Sequence, residues 1–520
     1  MISFLRNKFL LSILSSLLFI VSFPFSGSLT PLVFLAWLPL WLIALALKEK
    51  KWGALQFFGF TFLAMLFFNL GTTWWIWNST QSGALMAFLI NSTLMAGTLA
   101  LGFWLFRSLR AGFFLGGMGI AWICFEFFHL NWELSWPWLT MGNFFAVRTS
   151  WVQWYEYTGI LGGSFWILSV GILLTLVCSF RKERGLGIAL ICLLALPLIL
   201  SLALQTTYAP KRGEIQHVVL LQPNIDPYTE KFNTNPIIQL EEMLSMARTQ
   251  VNSGSLLVGP ETALQELFFE SEFKNTQSYT ALAHDFKDSN IPVLIGASTS
   301  KLFPKKISPA SLPLQDGGYY ESYNTSLFYA NDQAQFIHKS KLVPGTESIP
   351  FVQWFPFLQA ITIENGGTSG SLGVESEPKV FKHGAKVFAP IICYESIYGS
   401  FVGEQCKKGA QLLVVMTNDG WWGNTPGHRQ HNAFAGLRAI ENRKYVVRSG
   451  NTGISSVWAP DGTCLNQLSY GKKDTLTAYV PLLNGYTFYA QHGDYLGWVA
   501  VIGLTLMGLW ALIFRVKSRK

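Results

Sequence analysis

Cys393 sits inside the stretch APIICYESIYGS, Ala389–Ser400, where it closes an apolar run and has Glu395 two residues beyond it. A cysteine in such a run is either a core filler, since a buried thiol behaves as a small hydrophobe, or a nucleophile. A thiol attacks as thiolate, so the second reading needs a base within hydrogen-bond reach, a nearby cation, or both. Two other segments carry such groups. GPETAL offers Glu261 directly after an apolar run, and HKSKLVPGTE offers Lys339 and Lys341. A carboxylate there accepts a proton, and an ammonium stabilises a developing oxyanion. Taken singly, a Glu at a strand end is a turn charge or a helix-cap neighbour, and a lone Lys is a surface residue.

The elements that must position these groups read as an α/β domain. Short β-rich runs, HVVLLQPN, SLLVGPE, IPVLIGAS, AKVFAPIICYE and QLLVVMTND, alternate with stretches of helical period such as Pro236–Val251 and His428–Val446. Gln222 and Asn224, Glu261, Cys393, Asn418 and Asp419 all stand where an apolar run ends. In α/β sheets ligands bind at the carboxyl ends of strands, so three separated segments are expected to converge on one site.

The rest of the chain is of another kind. Half of the 520 residues are hydrophobic, 20 are Trp, 41 are Phe and only 13% are charged, which excludes a purely soluble enzyme. Apolar runs fall near Phe9–Pro24, Pro31–Leu47, Gly53–Trp77, Gly83–Phe106, Gly112–Phe128, Ile160–Phe180, Leu186–Leu204 and Tyr495–Phe514, which predicts about eight membrane spans. The expected organisation is therefore 1–205 with seven spans, 206–494 as the α/β domain, and 495–520 with the last span and a basic tail. Lys and Arg cluster in every second connection: Arg6–Lys8, Lys48–Lys51, Arg107–Arg110, Arg181–Arg184 and Arg515–Lys520. The loops SGSLTP and NSTQSG between them carry none. The positive-inside rule then puts both termini in the cytoplasm and the α/β insert on the far side. The net charge of +8 is read as topology, with no nucleic-acid partner expected. The first apolar run also fits a cleaved signal peptide, which would leave the remaining topology unchanged.

GPETAL, KSKLVPGTE, ICYES and TNDGWWG, in that order, resemble the Glu, Lys and Cys motifs of the nitrilase, or carbon–nitrogen hydrolase, superfamily. With the membrane envelope and SWPWLTMGN, the chain is similar to the membrane branch of that superfamily, the apolipoprotein N-acyltransferases. The resemblance implies an αββα sandwich outside a bacterial inner membrane. It implies an enzyme that moves an acyl chain from a phospholipid to the N-terminal cysteine of a diacylated lipoprotein, with no cofactor and no metal. It assigns Glu261 as general base, Lys339 as oxyanion-stabilising cation and Cys393 as acyl-accepting nucleophile. Lys339 is preferred over Lys341 because the family lysine stands three residues before Leu342-Val343-Pro344. Glu347 matches the supporting second acid, and Tyr394 and Glu395 match the residues after the nucleophile. Phe232, after NIDPYTEK, matches a substrate-side aromatic, and Trp421 lies in TNDGWWG. Two departures stand out: Gly259 replaces the usual Trp before Pro-Glu-Thr, and PGTE replaces Pro-Phe-Gly-Glu.

Other features carry two readings each. LQELFFESEF, Leu264–Phe273, is a short core helix or an exposed, membrane-facing apolar arm that admits acyl chains, and Phe268 and Phe269 are expected to belong to the arm. His428 and His431 have the spacing of a metal pair, but without a third ligand nearby a polar helix start is the expected reading. Cys124, Cys178 and Cys192 fall within spans as packing residues, and Cys406 and Cys464 are able to pair in an oxidising compartment. Glu126, near the end of the fifth span, is a functional group or structural glue. Two rival functions remain: a membrane-tethered amidase in which water resolves the acyl-enzyme, and a transporter with an outer ligand-binding domain. The transporter predicts ionisable or broken-helix features at mid-membrane, of which the spans carry almost none.

Overall fold

The computed structural model describes residues 7–180, 184–208, 213–231, 233–355, 357 and 371–519. They divide into two compact units, one of Met1–Trp77, Gln81–Tyr208 and His492–Lys520, the other of Asn78–Thr80 and Ala209–Gln491. In the first unit, among the described residues, seven helical segments are long and apolar enough to cross a membrane: Thr30–Leu47, Gly53–Asn78, Gln81–Phe106, Ala111–His129, Tyr155–Ser179, Arg184–Thr207 and Tyr495–Phe514. The eighth expected span is the shorter apolar helix Lys8–Ser22, of 15 residues.

Several polar groups inside this unit are paired with one another, as a low-dielectric surround favours. Asn91 Nδ2 donates to Asn69 Oδ1 at 2.8 Å. Glu126 Oε1 accepts from Trp122 Nε1 at 2.9 Å and from the Met141 amide at 2.8 Å. Of the two readings of Glu126, these contacts support glue, because the carboxyl ties a helix to the segment carrying SWPWLTMGN. Gly142 in that segment is required: a Cβ there would lie 2.0 Å from the Ile160 carbonyl oxygen.

The second unit contains two sheets. The larger runs in the order β14 (Asp474–Pro481), β1 (Ile215–Gln222), β2 (Leu256–Val258), β4 (Val293–Phe303), β6 (Tyr319–Ala330) and β5 (Leu312–Pro313). In it, β3 (Leu264–Phe269) pairs with β4, and β7 (Gln333–His338) with β6. The smaller runs β13 (Cys464–Gln467), β12 (Ser456–Trp458), β11 (Val446–Gly450), β10 (Leu412–Thr417), β9 (Lys386–Ile392) and β8 (Phe381–His383). Strands β9, β10 and β11 are parallel, as are β1, β2 and β4.

Alternation along the strands builds the layers, since successive side chains face opposite ways. Val218, Leu220, Leu256, Val258, Leu294 and Phe328 meet Phe388, Leu412, Val414 and Met416 between the sheets. Their neighbours Val219, Leu221, Leu257, Ile295, Leu327 and Tyr329 join the outer core with Leu240, Leu244 and Leu282 of helices Pro236–Arg248 and Gln277–Phe286. Each such side chain contributes about 1.5–3 kcal/mol by leaving water. Helices Gly399–Lys407 and Pro426–Asn442 pack on the smaller sheet, completing an αββα sandwich.

One expectation is corrected here, and one pairing that the sequence left open is answered. Leu264–Phe269 is not an exposed arm but strand β3, paired parallel with β4. Phe268 lies in the core against Phe273 and Phe336, and Phe269 is half-buried near Tyr320. The period-2 pattern sends Leu264 and Phe268 inward and leaves Leu267 exposed. Cys406 and Cys464 are both free thiols, the first buried on helix Gly399–Lys407, the second on edge strand β13.

Candidate active site

Strand ends deliver the reactive groups. Glu261 follows β2, Lys339 follows β7, Cys393 follows β9, and Asn418 and Asp419 follow β10. At Cys393 the chain enters a single tight turn, Cys393–Ile397, with φ of +49° at the cysteine itself. That left-handed conformation is unfavourable for a residue with a Cβ and persists only where surroundings enforce it. Here the Cys393 carbonyl accepts from Ser396 Oγ at 2.7 Å and has His431 Nε2 at 3.2 Å. Glu395 adds a brace across two segments, accepting the Ser340 amide at 2.6 Å on one oxygen and the Ile392 amide at 2.7 Å on the other. Burial pushes the Glu395 carboxyl up to about 7, against those two amides.

Lys339 is buried between two carboxylates. Its ammonium donates to Glu261 Oε1 at 3.1 Å and to Glu347 Oε1 at 2.9 Å. Asn324, on β6, spans the same pair, its Nδ2 lying 2.8 Å from Glu261 Oε1 and 3.1 Å from Glu347 Oε1. The second oxygen of each acid takes a backbone amide, Asn418 N on Glu261 at 3.1 Å and Val343 N on Glu347 at 2.8 Å. Burial drives the Glu261 carboxyl upward, but Lys339, Asn324 and Lys231 outweigh it and hold the group below the ordinary value of 4.5. Burial works against the Lys339 ammonium, yet Glu261, Glu347 and Cys393 raise it well above the ordinary range. The Cys393 thiol is pushed well above its usual value, first by burial and then by the charges of Glu261 and Asp419. The resting pair is therefore a carboxylate and a neutral thiol, an arrangement in which a group able to accept a proton is present with one able to give it up.

A further buried cluster lies against the turn at Cys393. Asp419 accepts from Thr417 Oγ1 at 2.8 Å, faces His431 Nδ1 at 2.9 Å and is ion-paired with Arg448 on β11. His431 Nε2 also reaches Ser396 Oγ at 2.8 Å. Although Cys393, Asp419 and His431 bring ligand-type atoms within 4.8 Å of one another, the carboxylate is already neutralised by Arg448. His428 goes elsewhere, to Asn424 Oδ1 at 3.1 Å and to the ring of Tyr470.

Glu261, Lys339, Glu347, Cys393 and Glu395 thus come together. Tyr394 is buried edge-on to Tyr398. Lys341 places its ammonium over the Tyr398 ring at 5.2 Å, away from the Glu261–Glu347 pair that Lys339 bridges. Trp421 packs against Tyr228 and has the Lys231 ammonium 6.0 Å from its ring. Phe232 lies outside the described residues, and Phe268 and Phe269 belong to β3. Gly259 now has a reason: a Cβ there would meet the Ile295 side chain at 2.6 Å. In PGTE, Gly345 supplies the φ of +88° that the turn requires. Sequence reasoning missed Asn324, Lys231, Arg448 and the part played by His431. Asn418 and Asp419 carried a visible signal, since both close an apolar run.

The carbon–nitrogen hydrolase profile matches residues 218–486, and the profile of the apolipoprotein N-acyltransferase N-terminal domain matches residues 15–173. The chain is 31% identical to an apolipoprotein N-acyltransferase of Chlorobaculum tepidum over 99% of this chain and 98% of that protein. It is 26% identical to one of Geobacter metallireducens, over 99% and 96% respectively. A solved amidase of Nesterenkonia AN1 from the nitrilase superfamily aligns with 56% of this chain and 98% of its own, at 16% identity and a TM-score of 0.38. With both domains matched and the whole length aligned, the chain belongs to the apolipoprotein N-acyltransferase family.

Proposed function

We propose that this acyltransferase carries an acyl chain from a phospholipid, through a thioester on Cys393, to the N-terminal amine of a diacylglyceryl-cysteine lipoprotein. The observation that carries the reading is the buried Lys339 shared by Glu261 and Glu347, set with a strand-end cysteine in a family of N-acyltransferases. In the first half-reaction the Cys393 sulfur bonds to the ester carbonyl carbon while its proton passes to Glu261. Lys339 offers its charge to the oxyanion, and removing one such donor costs about 10²–10³ in rate. The carbon–oxygen bond then breaks, and Glu261 returns the proton to the departing lysophospholipid oxygen. In the second half, the lipoprotein amine bonds to the same carbon, Glu261 takes a proton from nitrogen, and the carbon–sulfur bond breaks as Glu261 returns that proton to sulfur, which regenerates the thiol and the carboxylate. Glu347, Asn324 and Glu395 hold these groups in register.

The α/β unit is assigned to the periplasmic face of a bacterial inner membrane, with both termini cytoplasmic. The alternating basic loops support this, provided that Lys8–Ser22 crosses too. A helix of 15 residues rises only about 23 Å, short of the ~30 Å hydrocarbon core, so this segment decides the parity. A reporter active only outside the cytoplasm should be active after Ser300 and silent at Lys50 and Lys520. Activity at Lys520 would overturn the even-span arrangement.

The competing reading is hydrolysis of the same thioester. Enzyme loaded with phospholipid alone should hold its acyl chain and release it on addition of a diacylated lipopeptide, giving an amide-linked third chain. Release of free fatty acid at one rate with or without the lipopeptide would favour the amidase.

A further inference from the structure

Lys231 is a lysine only 3% exposed, the last residue of NIDPYTEK, to which the sequence reading gave no role. Burying an ammonium is costly unless it is paired and hydrogen-bonded, so its presence needs a cause. Its backbone is fixed: the Lys231 amide donates to the Asp226 carbonyl at 2.9 Å, and Gln239 Nε2 donates to the Lys231 carbonyl at 3.3 Å. Its side chain runs inward to donate to Thr262 Oγ1, next to Glu261. The same residues, Lys231, Glu261 and Thr262, line one water-sized cavity of about 10 Å³ with Ile225, Gln265 and Asn451.

Thr262 is the strained point of this loop. It has φ of +46°, a left-handed conformation that a β-branched residue adopts only under constraint. The turn is pinned from behind by Gly296, whose amide donates to the Pro260 carbonyl at 3.0 Å. A Cβ on Gly296 would lie 2.4 Å from the Thr262 nitrogen, so the two backbones touch. The Lys231 ammonium closes the other side by holding the Thr262 hydroxyl. The residue caught between these two anchors is Glu261.

We infer that Lys231 is a further member of the acyl-transfer site, a second buried cation that positions Glu261 through Thr262 and keeps it a carboxylate. The inference rests on the reading of Glu261 as the base. The groups facing Glu261 are Lys339 and Glu347 from the segment after β7, Cys393 after β9, Lys231 after β1, and the neutral Asn324 on β6. Asp419 acts on Cys393 from the far side. Lys339 alone has two carboxylates to balance, and Lys231 makes the count of buried charges even. Burial pushes the Lys231 ammonium down to about 8, with Glu261 and Cys393 holding it up, so the group stays cationic at neutral pH.

The test is single-turnover acylation of Cys393 in the full-length protein in detergent, with phospholipid alone, read by intact mass across about pH 4–9. Wild type should lose activity on the acid side only below the ordinary glutamate range. Lys231→Met should acylate about 10- to 100-fold more slowly and move that acid limb up by roughly one unit or more. Lys231→Arg, which restores the charge, should bring the limb back. A residue that merely supports its loop would not move the limb, so a folded Lys231→Met with the wild-type rate and profile overturns the inference. If Lys231→Met does not fold, Thr262→Val decides: slowed acylation with Thr262→Ser close to wild type supports the anchor, and an unchanged rate overturns it. Glu261→Gln separates the two levels. Acylation in that variant refutes the base, whereas a dead Glu261→Gln beside an unaffected Lys231→Met refutes only the role of Lys231.

Discussion

The larger sheet supplies Glu261, Asn324 and Lys339, and the smaller supplies Cys393, Asp419 and Arg448. Both contribute buried charges to one place, but the charges differ in what they can give up. Arg448 is closed on Asp419, and a guanidinium does not release its proton in a protein. With Thr417 and His431 also on Asp419, that cluster is a fixed brace behind the strained Cys393. On the other sheet every charge belongs to a lysine or a glutamate, Lys339 is divided between two acids, and Glu261 keeps its carboxylate form through neighbours that outweigh burial. One cluster is closed on a guanidinium, and the other holds the carboxylate that the proposed proton transfer from Cys393 would use. Cys393 is thereby braced from the smaller sheet while its proposed proton acceptor stands on the larger.

That division can be broken from either sheet. The largest effect is expected for Lys339→Met: acylation falls by at least about 10²–10³, and two buried acids lose their partner, costing about 3–5 kcal/mol. Unfolding midpoints in detergent beside the acylation rate would measure both. Arg448→Met should cost a similar 3–5 kcal/mol by leaving Asp419 uncompensated, yet leave the pH dependence of the remaining acylation in place. A shifted profile there would merge the two clusters into one. Wild-type acylation should be flat between about pH 5.5 and 7, because Glu261 titrates below 4.5, the Cys393 thiol above 9.0, and the Lys231 ammonium loses its charge only at about 8. A limb at neutral pH would mean that His431 or Glu395 exchanges the proton instead. The smallest effect is expected for Lys341→Ala, whose ammonium lies over the Tyr398 ring and not between Glu261 and Glu347; a cation–π contact is worth about 0.5–1 kcal/mol, and the variant should acylate within about two-fold of wild type.

The cluster around Lys339, with Cys393, was largely legible in the sequence. Glu261, Lys339, Glu347 and Cys393 each sit in a short motif beside a strand, where local order fixes their place. Its partners were not. Asn324 looks like any polar residue alternating along β6, and only pairing with β4 and β7 brings its amide to two acids from other segments. Lys231 reads as one more charge after a proline, and its burial is decided by the turn at Thr262. Arg448 in VVRSG resembles a surface charge on a strand end, although it is buried against an aspartate 29 residues earlier. The misreading of Leu264–Phe269 has the opposite origin: a local run of large apolar residues suggested a lipid-facing arm, while pairing with β4 turned Phe268 into core. Cys406 and Cys464 likewise had suitable chemistry, but one is buried in a helix and the other stands on an edge strand.

The central claim is that Cys393 carries the acyl chain. Purified full-length enzyme incubated with phospholipid alone, digested and weighed, should give a peptide containing Cys393 heavier by one acyl group and restored by neutral hydroxylamine. The same peptide from Glu261→Gln should stay unmodified. An acyl group found on another residue, or a triacylated lipopeptide made by Cys393→Ala, would contradict the account.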